Sequence, residues 1–184
     1  MFGIHLPGRV ENVRLPYRKA LYPVFEAIVN SIHAIEAAGR REGHIDIEVV
    51  REANQGVLIE DVSVAPVASF AVTDDGVGFT DENYESFQTS DSRFKRAYGA
   101  KGVGRLLWLK AFSRTKVDSV FESDGKRFRR TFDFLLTPDG VENHTVGQAN
   151  GARPQTTVHL QTFLPKYGEA CPKKLGTIAA KVLD

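Results

Sequence analysis

A short apolar stretch, Phe70-Ala-Val-Thr73, stops against Asp74-Asp75-Gly76-Val77-Gly78, and this junction constrains the chain more than any other. A run of that length and composition reads as a buried strand. The acid at its end therefore borders a core, where an unpaired carboxylate is costly. It needs a partner from elsewhere in the chain or from a ligand. The two glycines permit positive φ and a close approach of backbone to whatever lies beside it. Asp75-Gly76 alone makes a good turn. An acid at a strand end followed by spaced glycines also suits a flat ligand laid against the chain, its exocyclic amine donating to the Asp74 carboxylate.

Two further blocks stand on either side. Upstream, Leu21, Val24, Phe25, Ile28, Val29, Ile32 and Ile35 recur at helical spacing over residues 17–38, with Gly39 as the stop. Within this run Glu26-Ala-Ile-Val-Asn30-Ser31 puts a carboxylate and an amide four residues apart, on one helix face, with Ile28, Val29 and Ile32 expected to supply packing. At a triphosphate, the amide oxygen can join the oxygen shell of Mg²⁺, and the carboxylate can orient and deprotonate a water. An amphipathic helix with two polar residues facing solvent explains this block equally well. Downstream, Gly99-Ala-Lys101-Gly102-Val103-Gly104-Arg105 opens a helix expected over 104–112. Unobstructed amides at a helix start form an anion site, and Lys101 and Arg105 add positive charge. The pattern lacks the Lys-Ser/Thr of a Walker loop, and no Rossmann strand precedes it.

The remaining elements follow from alternation and turn residues. Strands are expected at 44–51, 116–122, 127–135 and 156–162, and residues 57–59 could pair with the first of them. Asp124-Gly125 and Pro138-Asp-Gly140 mark turns. Residues 80–100 read as a loop with one helical turn near 82–87. Trp108 belongs to the core. Leu175, Ile178, Ala179, Val182 and Leu183 form one face of a helix that reaches the last residue, so 170–184 is expected to lead into a following domain.

Bulk properties narrow the class. With 184 residues, 42% hydrophobic, 26% charged and a net charge of +1, the chain is expected to be one globular domain with no sign of nucleic-acid binding. Lys126, Arg127, Arg129 and Arg130 read as a solvated strand-edge cluster. A single cysteine, Cys171, excludes an internal disulfide and fits a reducing compartment. No apolar run nears the roughly 18 residues of a membrane span. No signal peptide is evident at residues 1–9, so a cytoplasmic location is expected. His5, His33, His44, His144 and His159 show no zinc spacing with Cys171.

Taken together, the three blocks resemble the nucleotide-binding boxes of the GHKL superfamily, which takes in gyrase B subunits, heat-shock chaperones, histidine kinases and MutL. The resemblance spans residues 20–162. It implies an α+β fold, a two-layer α/β sandwich whose mixed, mostly antiparallel sheet carries helices on one face, known as the Bergerat fold. It makes Glu26 the general base, Asn30 the Mg²⁺ ligand and Asp74 the reader of adenine, with Gly76 and Gly78 lining the base pocket. Gly99, Gly102 and Gly104 become lid glycines whose amides hold phosphates, within an ATP lid over 80–104. Ala34, Phe79, Lys101, Val103 and Arg105 complete the implied ATP-binding set. Thr156, in Gln155-Thr-Thr-Val158, resembles the threonine that supports the aspartate–adenine contact. Two departures stand out. His33 replaces an acid of the first box, and Gln155 replaces the glycine before the threonine, leaving Thr157 as a possible substitute for Thr156.

Glu26 separates this chain from histidine kinases, whose matching helix lacks a carboxylate base. The resemblance therefore implies Mg²⁺-dependent ATP binding and hydrolysis, with lid closure coupled to a following domain or to an ATP-dependent homodimer. The lid region looks most like that of bacterial multidomain ATPases of the superfamily. An ATP-binding switch with negligible hydrolysis is the alternative, and a histidine-kinase catalytic domain is a further one.

Overall fold

The computed structural model describes residues 6–52, 65–89 and 104–183. The elements run α1 (Leu6–Asn12), a 3₁₀ turn (Tyr17–Lys19), α2 (Tyr22–Ala37), β1 (Ile45–Arg51), β2 (Val67–Asp74), α3 (Asp81–Gln88) and α4 (Gly104–Ala111). They continue with β3 (Phe112–Ser123), β4 (Lys126–Leu135), β5 (Val141–Gln148), β6 (Gln155–Phe163), α5 (Pro165–Ala170) and α6 (Leu175–Leu183). Six strands form one sheet in the order β1-β2-β6-β3-β4-β5. Every described pair is antiparallel, so the expected mixed sheet is in fact uniform. The expected strands at 116–122, 127–135 and 156–162 fall within observed ones, and the one expected at 44–51 starts one residue later, at Ile45. The suggested pairing of 57–59 lies outside the described residues.

Alternation sorts the sheet into two faces. Phe70, Val72, Val117, Phe132, Phe134, Val158 and Leu160 point inward and are buried with Val24 and Ala27 of α2 and Leu106, Trp108 and Leu109 of α4. Thr73 and Thr157 share a hydrogen bond of 2.9 Å on the opposite face, where Arg129 pairs with Asp118 and Arg114 with Asp133 at 2.7 Å. The result is a two-layer α+β architecture. Trp108 packs in the core as expected, and its indole N–H donates to the Pro23 carbonyl at 3.0 Å, which satisfies the one polar atom of a buried ring.

Several local expectations are corrected. Val29 and Ile32 do not pack, being 44% and 43% exposed, because the buried stripe of α2 runs along Val24, Ala27, Ser31 and Ile35. Phe112 begins β3 rather than ending α4, so the helix gives way directly to a strand. On α6, Ile178 is buried and Val182 packs on the core, whereas Leu175 and Ala179 are exposed. β5, α1 and α5 carry little apolar alternation and were not expected. β5 is exposed over most of its length and is held by its backbone ladder to β4. Asp124 and Gly125 have φ of +50° and +70° and join β3 to β4 in the two-residue turn that their sequence favours.

Two histidines of the sheet, His144 on β5 and His159 on β6, sit in settings that disfavour their charged form. Burial, then Lys116 beside it, lowers the pKa of His159 from the ordinary 6.5. Burial, then Arg130, does the same for His144, which stacks on Tyr84 with ring centroids 4.3 Å apart. At these two positions the unfolded chain binds more protons than the folded one once pH falls through about 6.5, and their contribution to stability is lost on the acid side. The urea midpoint should be lower at pH 5.5 than at pH 7.5, and the difference should shrink in the H144Q/H159Q variant. Equal midpoints at the two pH values in the unsubstituted protein would contradict this.

Candidate functional site

α2 sets the site. It starts with proline in its first turn, where the missing N–H costs nothing, and ends at Gly39, whose φ of +70° suits a left-handed helix terminus. Glu26 and Asn30 are half-buried on one face. Ser31 turns into the buried stripe, and its hydroxyl donates to Asp74 Oδ2 at 2.8 Å. One turn later, the Ala34 carbonyl accepts from the Val77 amide at 3.1 Å. The Glu26–Ser31 block and its helix therefore lie directly against the Asp74–Gly78 block.

Asp74 is 4% exposed. Its Oδ1 accepts from the Gly76 amide at 2.9 Å, while Oδ2 takes the Ser31 hydroxyl. Burial nevertheless raises its pKa above the ordinary 3.8, outweighing both of these hydrogen bonds. A carboxylate oxygen has two lone pairs, so each can still accept one N–H. Asp75 faces the other way. It takes the His44 amide at 2.9 Å and the Arg40 guanidinium at 2.9 Å, contacts that hold its carboxyl below the ordinary carboxylate range. Arg40 also donates to the Asp75 carbonyl. Of the two adjacent acids, Asp74 alone is turned into the protein interior.

Thr156 is the register partner of Asp74 across β2 and β6, and it is buried. Its hydroxyl lies 2.8 Å from that of Ser119, which also accepts from the Phe79 amide at 2.8 Å. Thr157, the suggested substitute, points to the opposite sheet face and pairs with Thr73. Thr156 is therefore the threonine on the Asp74 side.

The glycines are required by the protein's own packing. A Cβ on Gly76 would lie 2.6 Å from the Ala34 carbonyl carbon. Gly78 has φ of +79°, and its Cβ would lie 2.6 Å from the Val120 carbonyl oxygen. Phe79 sends its ring into an aromatic cluster, with centroids 5.7 Å from Phe87 and 5.4 Å from Phe132. At the start of α4, a Cβ on Gly104 would lie 2.7 Å from Glu26 Cδ and closer still to Oε2. The Glu26 carboxylate thus rests against the opening residue of α4, where negative charge is favourable.

Arg105 reaches toward α3. It donates to the carbonyls of Ser86 at 3.4 Å and Thr89 at 3.2 Å and lies over the Phe87 ring at 5.2 Å, fastening the end of α3. Gly99, Lys101, Gly102 and Val103 lie outside the described residues, so of the expected lid over 80–104 the structure describes 80–89 and Gly104. Residues 81–88 form α3, capped by Thr80, whose hydroxyl accepts from the Asn83 amide at 3.2 Å.

Three polar residues of the site escaped the sequence reading. Ser31 had a signal, a lone hydroxyl in the apolar stripe of α2. Ser119 sits mid-strand without one. Arg130 looked like part of a solvated basic run, yet it is 3% exposed and bonds the carbonyls of Phe79 and Thr80. The run is divided: Arg129 pairs with Asp118, and Arg127 donates to the Ala152 carbonyl at 2.8 Å. No family model matches this chain, and no curated protein matches it.

Gly76→Ala should destabilise the fold by about 1–3 kcal/mol, because its new methyl meets helix backbone that cannot swing aside. Gly125→Ala, where a Cβ meets nothing within 4 Å, should cost less, through its positive φ alone. Chemical denaturation of both variants checks the order, and equal losses would contradict the packing assigned to Gly76.

Proposed function

We propose that this domain binds ATP with Mg²⁺ and hydrolyses it. The observation that carries the proposal is the meeting of three sequence-distant blocks. Ser31 of the first holds Asp74 of the second, while Glu26 of the first rests against Gly104 of the third. A likeness confined to sequence would not require these contacts.

Asp74 would take the exocyclic amine of adenine, using a lone pair left by Ser31 and Gly76. Guanine presents a carbonyl oxygen at the same position and would be repelled by the carboxylate, so adenine is preferred. Thr156 stands beside Asp74 to support the contact. Gly76 and Gly78 keep the pocket wall to bare backbone. The donors on α2, an amide and a carboxylate, are hard oxygen ligands of the kind Mg²⁺ takes when phosphates and waters complete its shell. Asn30 would hold the ion, which when bound neutralises charge on the phosphates.

Glu26 would orient a water in line with the terminal phosphorus and accept its proton. The water oxygen forms the new bond to phosphorus as the bond to the bridging oxygen breaks, leaving ADP and inorganic phosphate. Coupling of nucleotide state to a following domain or to a second copy of the chain belongs to this proposal, as does a cytoplasmic location. So does membership of the GHKL superfamily with its Bergerat fold.

Glu26→Ala should leave binding of an ATP analogue intact and slow phosphate release by about 10²–10⁴-fold, the range for loss of a general base. Gly104→Ala should act in the same direction by displacing the Glu26 carboxylate, at little cost in stability, since the group it meets is the end of a flexible side chain. Phosphate-release assays beside calorimetric binding test both variants. Unchanged turnover in Glu26→Ala would remove the hydrolytic role.

A further inference from the structure

Arg130 combines burial, charge and a specific set of partners in a way that stability alone does not explain. Its guanidinium is 3% exposed, and its Nε–H has no acceptor among the described residues. Nη1 donates to the carbonyls of Phe79 and Thr80, each at 2.7 Å. Nη2 pairs with Asp81, whose own side chain is 82% exposed. The guanidinium lies 4.6 Å from the centroid of Tyr84 and 4.8 Å from that of Phe121. Burying such a cation with an orphaned N–H is costly, and an apolar side chain of similar volume often stabilises a core at least as well. The arrangement fixes the segment between β2 and α3. From β3, the Ser119 hydroxyl accepts the Phe79 amide at 2.8 Å, so the backbone of Phe79 is held at both its N–H and its carbonyl. That segment continues directly from Asp74, Gly76 and Gly78.

We propose that Arg130 is a positioning residue for nucleotide recognition, holding residues 78–80 so that the wall beside Asp74 keeps the shape that fits a base. This assignment rests on the nucleotide reading above. Arg130 acts through backbone and touches no ligand. Its loss should therefore weaken binding at the base end of the ligand, with equal effect on adenosine and on a non-hydrolysable ATP analogue.

The test is calorimetric titration of both ligands, with Mg²⁺, into the full chain and three variants. Arg130→Met should weaken both ligands by about tenfold, the scale of losing one or two hydrogen bonds. Asp81→Asn leaves the buried side chain in place and should weaken both by about two- to fivefold, as for an exposed ion pair. It decides the matter if Arg130→Met does not fold. Phe163→Leu, in the core at the opposite end of β6 from Thr156, controls for general destabilisation and should bind like the unsubstituted chain. Unchanged affinity in the folded Arg130 or Asp81 variant would overturn the assignment. So would a loss confined to the ATP analogue, or an equal loss in Phe163→Leu. An unsubstituted chain that binds neither ligand would overturn the nucleotide reading and this assignment with it.

Discussion

The Ser31–Asp74 hydrogen bond joins the two layers of the protein at the point where the candidate site forms. A carboxyl buried at a strand end is tolerable only when its oxygens are satisfied, and here one partner comes from α2 and the other from the next turn of backbone. The same bond fixes the rotation of α2 over the sheet. With Ser31 turned inward, Glu26 and Asn30 lie to one side of the buried stripe and Val29 and Ile32 face out. Burial still raises the Asp74 pKa, and each carboxylate oxygen, with one hydrogen bond from the fold, keeps a second lone pair.

Around this bond, close backbone contacts do most of the shaping. Gly76 lies against Ala34, Gly78 against Val120 and Gly104 against Glu26. Gly76 and Gly78 meet backbone of elements distant in sequence, which a side chain would force away, whereas Gly104 meets only the carboxylate end of Glu26. The glycines that a ligand pocket would require are thus already required by the fold. Arg130 and Ser119 extend the principle by clamping the backbone of Phe79 from two neighbouring strands.

Much of this was legible in the sequence because its causes are local. Helical periodicity located α2, alternation and turn residues located four of the six strands, a short apolar run located β2, and Asp124-Gly125 located a hairpin through its backbone preference. β5 was not legible, since an exposed strand paired only through its backbone leaves no alternation to read. Arg130 was misread because its burial depends on Tyr84 of α3 and Phe121 of the neighbouring strand β3, which only the fold brings over it. The choice between Thr156 and Thr157 was open because adjacent strand residues face opposite ways and only the register with β2 decides between them. The contacts of Arg105 with the carbonyls of Ser86 and Thr89 were not legible from its place beside Gly104, because those carbonyls come from the end of α3.

The central claim is that Asp74 reads an adenine nucleotide in this pocket. Its most direct test is thermal unfolding of the chain with Mg²⁺ and a non-hydrolysable ATP analogue, beside the GTP analogue, repeated for Asp74→Asn. Ligand at about 100 times its dissociation constant adds roughly 2.7 kcal/mol to the folded state. A rise in melting temperature with the adenine analogue alone, abolished in Asp74→Asn, is the predicted result. No shift at millimolar nucleotide, or equal shifts with both analogues, would contradict the claim.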